Sequence, residues 1–292
     1  MNKVRLHRLY DVNGWLFVSA AVALIALMTL YPIAKSLWLS LHSGRGVLLE
    51  FVGFGNVERL FHDPVFKKAL WNTLIFLVIQ VPIMIVLSLA ISSCLNSTQL
   101  KYKSWFRLAI FLPCVTSLVA YSILFKSMFG LDGVVNSFLM FSHIIDEPIP
   151  WLADPFWSKV TIIIAITWRW TGYNMIFFLS AMQNIDKSIY EAARIDGVSP
   201  IKQFLFITVP LLKPVILFTS VTSTIGTLQL FDEVMNITNG GPANATMTLS
   251  LYIYNLSFTF VPNFGYAATV SYVIVVFSAL LALIQFKAIR ND

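Results

Sequence analysis

Charge is scarce in this chain. Lys, Arg, Asp and Glu make up 12% of its 292 residues, about half the share of an average globular protein, which excludes a soluble domain with a water-facing surface. Cysteine is nearly absent: Cys94 and Cys114 both fall within or at the edge of apolar runs. No extracellular disulfide framework is implied, and small packing roles are expected for both. None of the 13 glycines is followed by Lys, which excludes a phosphate-cradling Walker loop, and no His-Glu-x-x-His zinc helix occurs. The chain is therefore not expected to be an enzyme, to hydrolyse ATP by that route or to hold a metal.

Carboxylates and histidines are also missing from the apolar runs. The 14 Asp and Glu fall in loops or at run ends, and His7, His42, His62 and His143 lie outside the runs too. Ion-coupled carriers usually keep such a group at membrane depth to bind the coupling proton or cation, so an ion-driven cycle loses its usual chemistry. No Pro-x-Asp/Glu-x-x-Lys/Arg signature occurs, which removes basic six-span carriers of the mitochondrial type.

What the chain has in abundance is apolar surface. Hydrophobic residues make up 58% of it, and the mean hydropathy is +0.77, values that place it in lipid. A helix crossing the bilayer core needs about 20 mainly apolar residues. Windows that meet this length lie at 15–41, 70–94, 106–128, 159–181, 211–231 and 266–286. The expected fold class is all-α, a polytopic membrane protein with six transmembrane helices. Residues 1–14 are read as a cytoplasmic N-terminus, 15–41 as the first span, 42–69 as an external loop, and 70–292 as a core of five further spans. Lys3, Arg5 and Arg8 before an apolar stretch are also a signal-peptide feature, but the run from Trp15 to Leu41 is too long for one, so a retained anchor is expected.

The net charge of +6 does not indicate nucleic acid, because the basic residues sit in short loops rather than on one polar face. They read as topology signals. One set of segments carries Lys3, Arg5 and Arg8, then Lys101, Lys103 and Arg107, then Lys187, Arg194, Lys202 and Lys213, and finally Lys287 and Arg290. The opposite set holds only Arg45, Arg59, Lys67 and Lys68. Positive-inside bias then puts both termini in the cytoplasm. Lys35, Lys126 and Lys159 lie near span ends and can snorkel; Arg169 cannot.

The inside loop 182–213 has a pattern of its own. Ser188-Ile189-Tyr190-Glu191 fits a capping box, so a helix is predicted to begin there and run to Ile195. Asp196-Gly197 supplies its stop, and Ser199-Pro200 an N-cap with proline at the first position of a second helix. Such a helix-turn-helix suits either a surface helix resting on headgroups or a docking site for a partner that supplies energy.

The run Glu191-Ala192-Ala193, Gly197 and Ile207-Thr208-Val209-Pro210 resembles the EAA motif of bacterial ABC importer permeases, with Val209 where leucine is usual. Further stretches carry the likeness: Asn239-Gly240-Gly241-Pro242 with Thr246, Tyr252-Ile253-Tyr254, Gly265-Tyr266-Ala267-Ala268, and upstream Phe54-Gly55-Asn56, Asp63-Pro64 and Ala69-Leu70-Trp71-Asn72-Thr73. These are similar to maltose-type carbohydrate permeases. The resemblance implies a type I ABC importer permease fold in the bacterial cytoplasmic (inner) membrane. It implies a heterodimer with a second permease subunit, two ATPase subunits and an extracytoplasmic sugar-binding protein. ATP and Mg would be bound by the ATPase subunits, with no cofactor in this chain. The ATPase-coupling residues it implies are Glu191, Ala192, Ala193, Arg194, Asp196, Gly197, Ile207 and Pro210.

Sugars are bound by neutral hydrogen-bonding groups, aromatic rings and apolar walls. The fourth window offers Trp168-Arg169-Trp170, Tyr173 and Asn174. The fifth offers Ser220, Ser223, Thr224 and Thr227 at helical spacing, followed by Gln229. Maltose-type permeases place sugar contacts in these two spans, and Tyr173, Thr227 and Leu230 match such positions by offset. The substrate-pathway candidates are Trp170, Tyr173, Asn174, Ser223, Thr227, Gln229 and Leu230. Small hydroxyls also mediate close helix packing, a reading open for Ser220 and Ser223, and Trp168 is expected as a packing or interface aromatic. An unpaired Arg169 in lipid would be costly; it either pairs with a partner-subunit carboxylate or reaches the outer cavity. Asp232 and Glu233 are expected near the mouth, in reach of the binding protein.

Three readings result: a permease subunit for a disaccharide or short oligosaccharide, a stand-alone secondary carrier or facilitator, and the same ABC family with another cargo such as an amino acid, a polyamine, an osmolyte or glycerol 3-phosphate. The coupling loop and the missing intramembrane carboxylate favour the first over the second. The Gly-Gly-Pro block and the neutral polar spans favour sugar.

Overall fold

A computed structural model describes residues 14–15, 17–45, 48–97 and 99–290. The basic segment with Lys3, Arg5, Arg8 and His7, expected to be cytoplasmic, lies outside the described residues. The chain forms two compact units, Met1–His62 with Ile253–Tyr272, and Asp63–Tyr252 with Val273–Asp292.

In the first unit, α1 (Phe17–Ser40) is continuous and apolar, and its most hydrophobic window is 0% buried within the chain. Residues Ala26–Leu30 form a π turn within it. Two short strands follow, β1 (His42–Arg45) and β2 (Leu48–Phe51), paired antiparallel with His42 opposite Phe51. Then comes α2 (Gly55–His62). The buried Asn56 amide donates to the carbonyls of Ser40 and His42 at 2.8 Å each, so one side chain satisfies the free backbone oxygens where α1 ends. The Arg59 guanidinium lies over the Tyr266 ring at 4.0 Å. The hairpin is an exception to the all-α expectation. It occupies the expected external loop, where four-residue strands leave no trace in a hydropathy window.

The second unit begins with α3 (Pro64–Asn96). The Asp63 carboxylate accepts from the backbone amides of Val65 and Phe66 at 2.8 and 3.1 Å, with Pro64 at the first helical position. The helix therefore starts ahead of its apolar window. The window 106–128 is not one straight crossing: α4 (Lys103–Val115) and α5 (Leu118–Met128) meet at 100°, with Thr116 and Ser117 extended between them. After α6 (Val134–Phe141), Asp154 caps α7 (Pro155–Gln183) by accepting from Phe156 and Trp157. The order continues with α8 (Lys187–Ile195), then α9 (Pro200–Leu211) and α10 (Lys213–Leu228), which are bent by 71°. The short α11 (Asp232–Ile237) follows. Two last helices, α12 (Leu249–Tyr254) and α13 (Phe264–Arg290), complete the element order of the chain.

Among the described residues, α1, α3, α7 and α13 are long and apolar enough to cross a membrane, and there are up to six crossings if each bent pair is one span. The centre of the second unit is the seam between α3 and α7. Ser88 and Ser92 of α3 donate to the carbonyls of Thr171 and Met175 at 3.0 and 2.9 Å, and small residues let the two backbones approach. A second close approach is at Gly172, where an added Cβ would overlap the Ile110 carbonyl oxygen of α4. Phe178 and Met182 of α7 then cluster with Leu89 and Leu212. Both cysteines are free, Cys94 exposed and Cys114 partly buried.

Candidate substrate cavity and coupling loop

Residues of α3, α5, α7 and α10 and of the turn into α11 line a cavity of about 470 Å³, within the ~300–1,000 Å³ range of small-molecule sites. All seven substrate-pathway candidates line it: Trp170, Tyr173 and Asn174 from α7, Ser223 and Thr227 from α10, and Gln229 and Leu230 just after it. The helical spacing explains the convergence. Trp170, Tyr173 and Asn174 share one face of α7, as do Ser223 and Thr227 on α10.

The polar groups are tied to one another. Asn174 Nδ2 donates to the Trp170 carbonyl at 3.2 Å and to Ser223 Oγ at 3.4 Å, while its buried Oδ1 has no partner among the described residues. Thr227 Oγ1 donates to Gln80 Oε1 at 2.9 Å. The Trp170 and Tyr173 rings meet edge to face at 5.8 Å, and both remain partly exposed. Amides and hydroxyls beside two aromatic rings, with Arg169, Asp232 and Glu233 in the same lining, can bind a polyhydroxylated ligand by hydrogen bonding and stacking.

The hydroxyl stripe of α10 is divided. Thr224 accepts from Gln285 Nε2 at 2.8 Å and so serves helix packing, Ser220 is not among the cavity residues, and Ser223 and Thr227 face the cavity. Trp168 stacks on Tyr121 with ring centres 5.8 Å apart. Sequence reasoning missed Gln80 and Met84 of α3, which also line the cavity. The available signal was an amide in the middle of an otherwise apolar run. Glu233, expected near the mouth, stands in the cavity wall, where Trp170 Nε1 donates to its Oε1 at 3.3 Å.

The loop 182–213 forms the expected helix-turn-helix, with one correction. Asp186, not Ser188, caps α8, its carboxylate accepting from the Ser188 amide at 2.9 Å. That hydrogen bond holds the Asp186 carboxyl below its usual range. The helix stops at Asp196, where Gly197 takes φ +74° and the Val198 amide reaches back to the Ala193 carbonyl at 2.9 Å, a glycine-dependent stop. Glu191, Ala192, Arg194, Asp196 and Gly197 are exposed, while Ala193 is turned inward. Ile207 is half-buried in the π turn Phe204–Thr208, and Pro210 is exposed. Tyr190 and Thr208 share a 2.8 Å hydrogen bond that braces the loop, and Gln203 Nε2 donates to the Val198 carbonyl at 2.7 Å.

Residues 61–290 match the family described as "Binding-protein-dependent transport system inner membrane component". The chain is 67% identical over 288 residues to the lactose transport system permease protein LacF of Rhizobium radiobacter, covering 98% of this chain and 97% of that one. It is 32% identical over 276 residues to the arabinooligosaccharides transport system permease protein AraP of Bacillus subtilis, covering 94% and 87%. In fold it is similar to a chain of a bacterial ABC transporter involved in the import of the acidic polysaccharide alginate, with a TM-score of 0.85 at 20% identity and 99% of each chain covered. With the family match spanning most of its length, the chain belongs to the binding-protein-dependent transport system inner membrane components.

Proposed function

We propose that this chain is one transmembrane subunit of a sugar ABC importer, forming half of the pathway for a disaccharide or short oligosaccharide. The observation that carries the reading is the convergence of Trp170, Tyr173, Asn174, Ser223 and Thr227 on one cavity of about 470 Å³. Its chemistry suits hydroxyl-rich ligands. Relatives named for lactose and arabinooligosaccharide transport support the same cargo class.

In this reading the chain crosses the bacterial cytoplasmic membrane six times with both termini inside, each bent helix pair counting as one span. It pairs with a second permease subunit and receives sugar from an extracytoplasmic binding protein. The exposed face of α8, with Glu191, Ala192 and Arg194, docks against an ATPase subunit. Gly197 sets the angle between α8 and α9, while Ile207 and Pro210 join the loop to α10. ATP and Mg bind to two separate ATPase subunits. Their closure moves the braced loop as a lever and switches the cavity between inward and outward access.

The test is ATP hydrolysis by the complex purified through this subunit and reconstituted in lipid, challenged with a panel of sugar-loaded binding proteins. Stimulation by one loaded protein, lost on Glu191→Lys, is expected. If no ATPase co-purifies and the chain alone equilibrates a sugar across liposomes, the reading fails.

A further inference from the structure

Two charged side chains stand in the cavity wall, each with hydrogen-bonding capacity that its helix neighbours leave unused. Arg169 and Glu233 are 7% and 5% exposed, and both line the cavity. Arg169 Nε and Nη1 have no hydrogen-bond partner among the described residues. The Tyr121 and Trp170 rings, 5.3 and 5.7 Å from the guanidinium carbon, attract its charge but leave those N–H groups unmet. Buried donors left in this state are costly, so the site is incomplete without an acceptor. Glu233 is the complementary case. It receives the Trp170 indole N–H at 3.3 Å and its own backbone N–H, and a carboxylate has room for further donors.

The ligand that completes both groups must accept from Arg169 and donate to Glu233. A carboxylate or phosphate only accepts. It would serve Arg169 but meet Glu233 and Asp232, which also lines the cavity, as like charges. An ammonium only donates and would leave Arg169 unmet. A hydroxyl does both.

We propose that Arg169 and Glu233 bridge hydroxyls of the transported sugar, Arg169 donating and Glu233 accepting, and that the two carboxylates facing one guanidinium select uncharged sugars over anionic ones. This rests on the sugar-importer reading. Trp170 has a positioning role, its indole N–H orienting the Glu233 carboxylate toward the cavity.

The test uses the complete complex in lipid nanodiscs with a nonhydrolysable ATP analogue. Bound radiolabelled lactose is measured against excess unlabelled lactose or its carboxylate analogue lactobionate. In the wild type, lactose displaces the label and lactobionate does not. Arg169→Gln and Glu233→Gln each weaken lactose binding by about tenfold or more, as expected when a hydrogen-bonded site loses one partner. Glu233→Gln also lets lactobionate compete about tenfold better, a change of preference that mere structural damage would not produce. Trp170→Phe, which removes one N–H from a ring that remains, weakens lactose binding by a few fold. Basal ATP hydrolysis identifies assembled complexes, and Arg169→Lys and Glu233→Asp replace any variant that does not assemble, with losses of the same sign. Lactose binding within twofold of wild type in all assembled variants, or equal competition by lactobionate in the wild type, overturns the bridge while leaving the importer reading intact. If the wild-type complex binds neither lactose nor any other neutral disaccharide, the sugar reading fails and the bridge with it.

Discussion

Gly172 allows a prediction of sign as well as size, because a second glycine serves as its control. An added Cβ at Gly172 would overlap the Ile110 carbonyl oxygen and stand 2.8 Å from the carbonyl carbon and 3.1 Å from the Phe111 Cα. Those atoms are backbone of α4 and cannot rotate away, so Gly172→Ala must push α4 from α7 by at least about 0.6 Å to restore a 3.4 Å contact with the carbonyl carbon alone. Overpacking of this kind costs about 1–3 kcal/mol, offset by at most about 1 kcal/mol of improved helix propensity. Gly226 in α10 has nothing within 4 Å of the same added atom, so Gly226→Ala should keep the propensity gain of up to about 1 kcal/mol and lose nothing to packing. Heating the detergent-purified proteins while following tryptophan fluorescence should place Gly172→Ala below wild type and Gly226→Ala at or above it. A Gly172→Ala midpoint equal to or above wild type would refute the close α4–α7 contact.

Asn136 is fully buried and ties its loop together, accepting from Trp151 Nε1 at 2.8 Å and donating to the Ile149 carbonyl at 2.9 Å; Asn136→Leu should destabilise by at least about 1–3 kcal/mol, measured by the same melt, and an unchanged midpoint would contradict the network. Tyr190→Phe removes the bond to Thr208, worth about 0.5–1.5 kcal/mol; sugar-stimulated ATP hydrolysis should fall while the purified complex remains assembled, and full stimulation would mean the brace is not part of the lever. The Asp186 cap is acid-sensitive in one direction. Because its folded value is lowered from the ordinary 3.8, its contribution is whole above that value and lost as pH falls below it through the lowered value. Backbone amide exchange at Ser188, followed from pH 6 downward into acid, should therefore quicken relative to neighbouring amides only below pH 3.8 and only when Asp186 is present.

Membrane class was legible in composition, and the helix-turn-helix of the coupling loop in its own stop and start signals. Gly197 and Pro200 act locally, so neighbouring residues suffice to place them. The cap was misassigned because Asp186 and Ser188 are both good cap formers two positions apart, and the choice lies in which side chain reaches the free amide. The 100° break between α4 and α5 was not legible, since a hydropathy window averages over Thr116 and Ser117 without sensing their extended backbone. Seven cavity residues were reachable because two helices and the turn after α10 carry them at regular spacing. That Gln80 and Glu233 join the same wall was not: one depends on how α3 lies against α7, the other on the chain turning back after α10. Both are facts of tertiary placement, which no spacing encodes.

The π turns at Ala26–Leu30, Phe204–Thr208 and Asn255–Thr259 bear on how such a chain tolerates length changes over evolutionary time. Each is a local surplus, one residue more than α geometry needs. Deleting a residue elsewhere in a helix rotates everything beyond it by about 100° and turns its buried face outward. Within a π turn the same deletion relaxes the bulge to regular helix and leaves the downstream face in place. Single-residue gaps between orthologous chains should therefore collect at Ala26–Leu30 and Phe204–Thr208, where helix continues beyond the turn, and be rare in the straight run of α7, where one lost residue would carry Trp170, Tyr173 and Asn174 out of the cavity together.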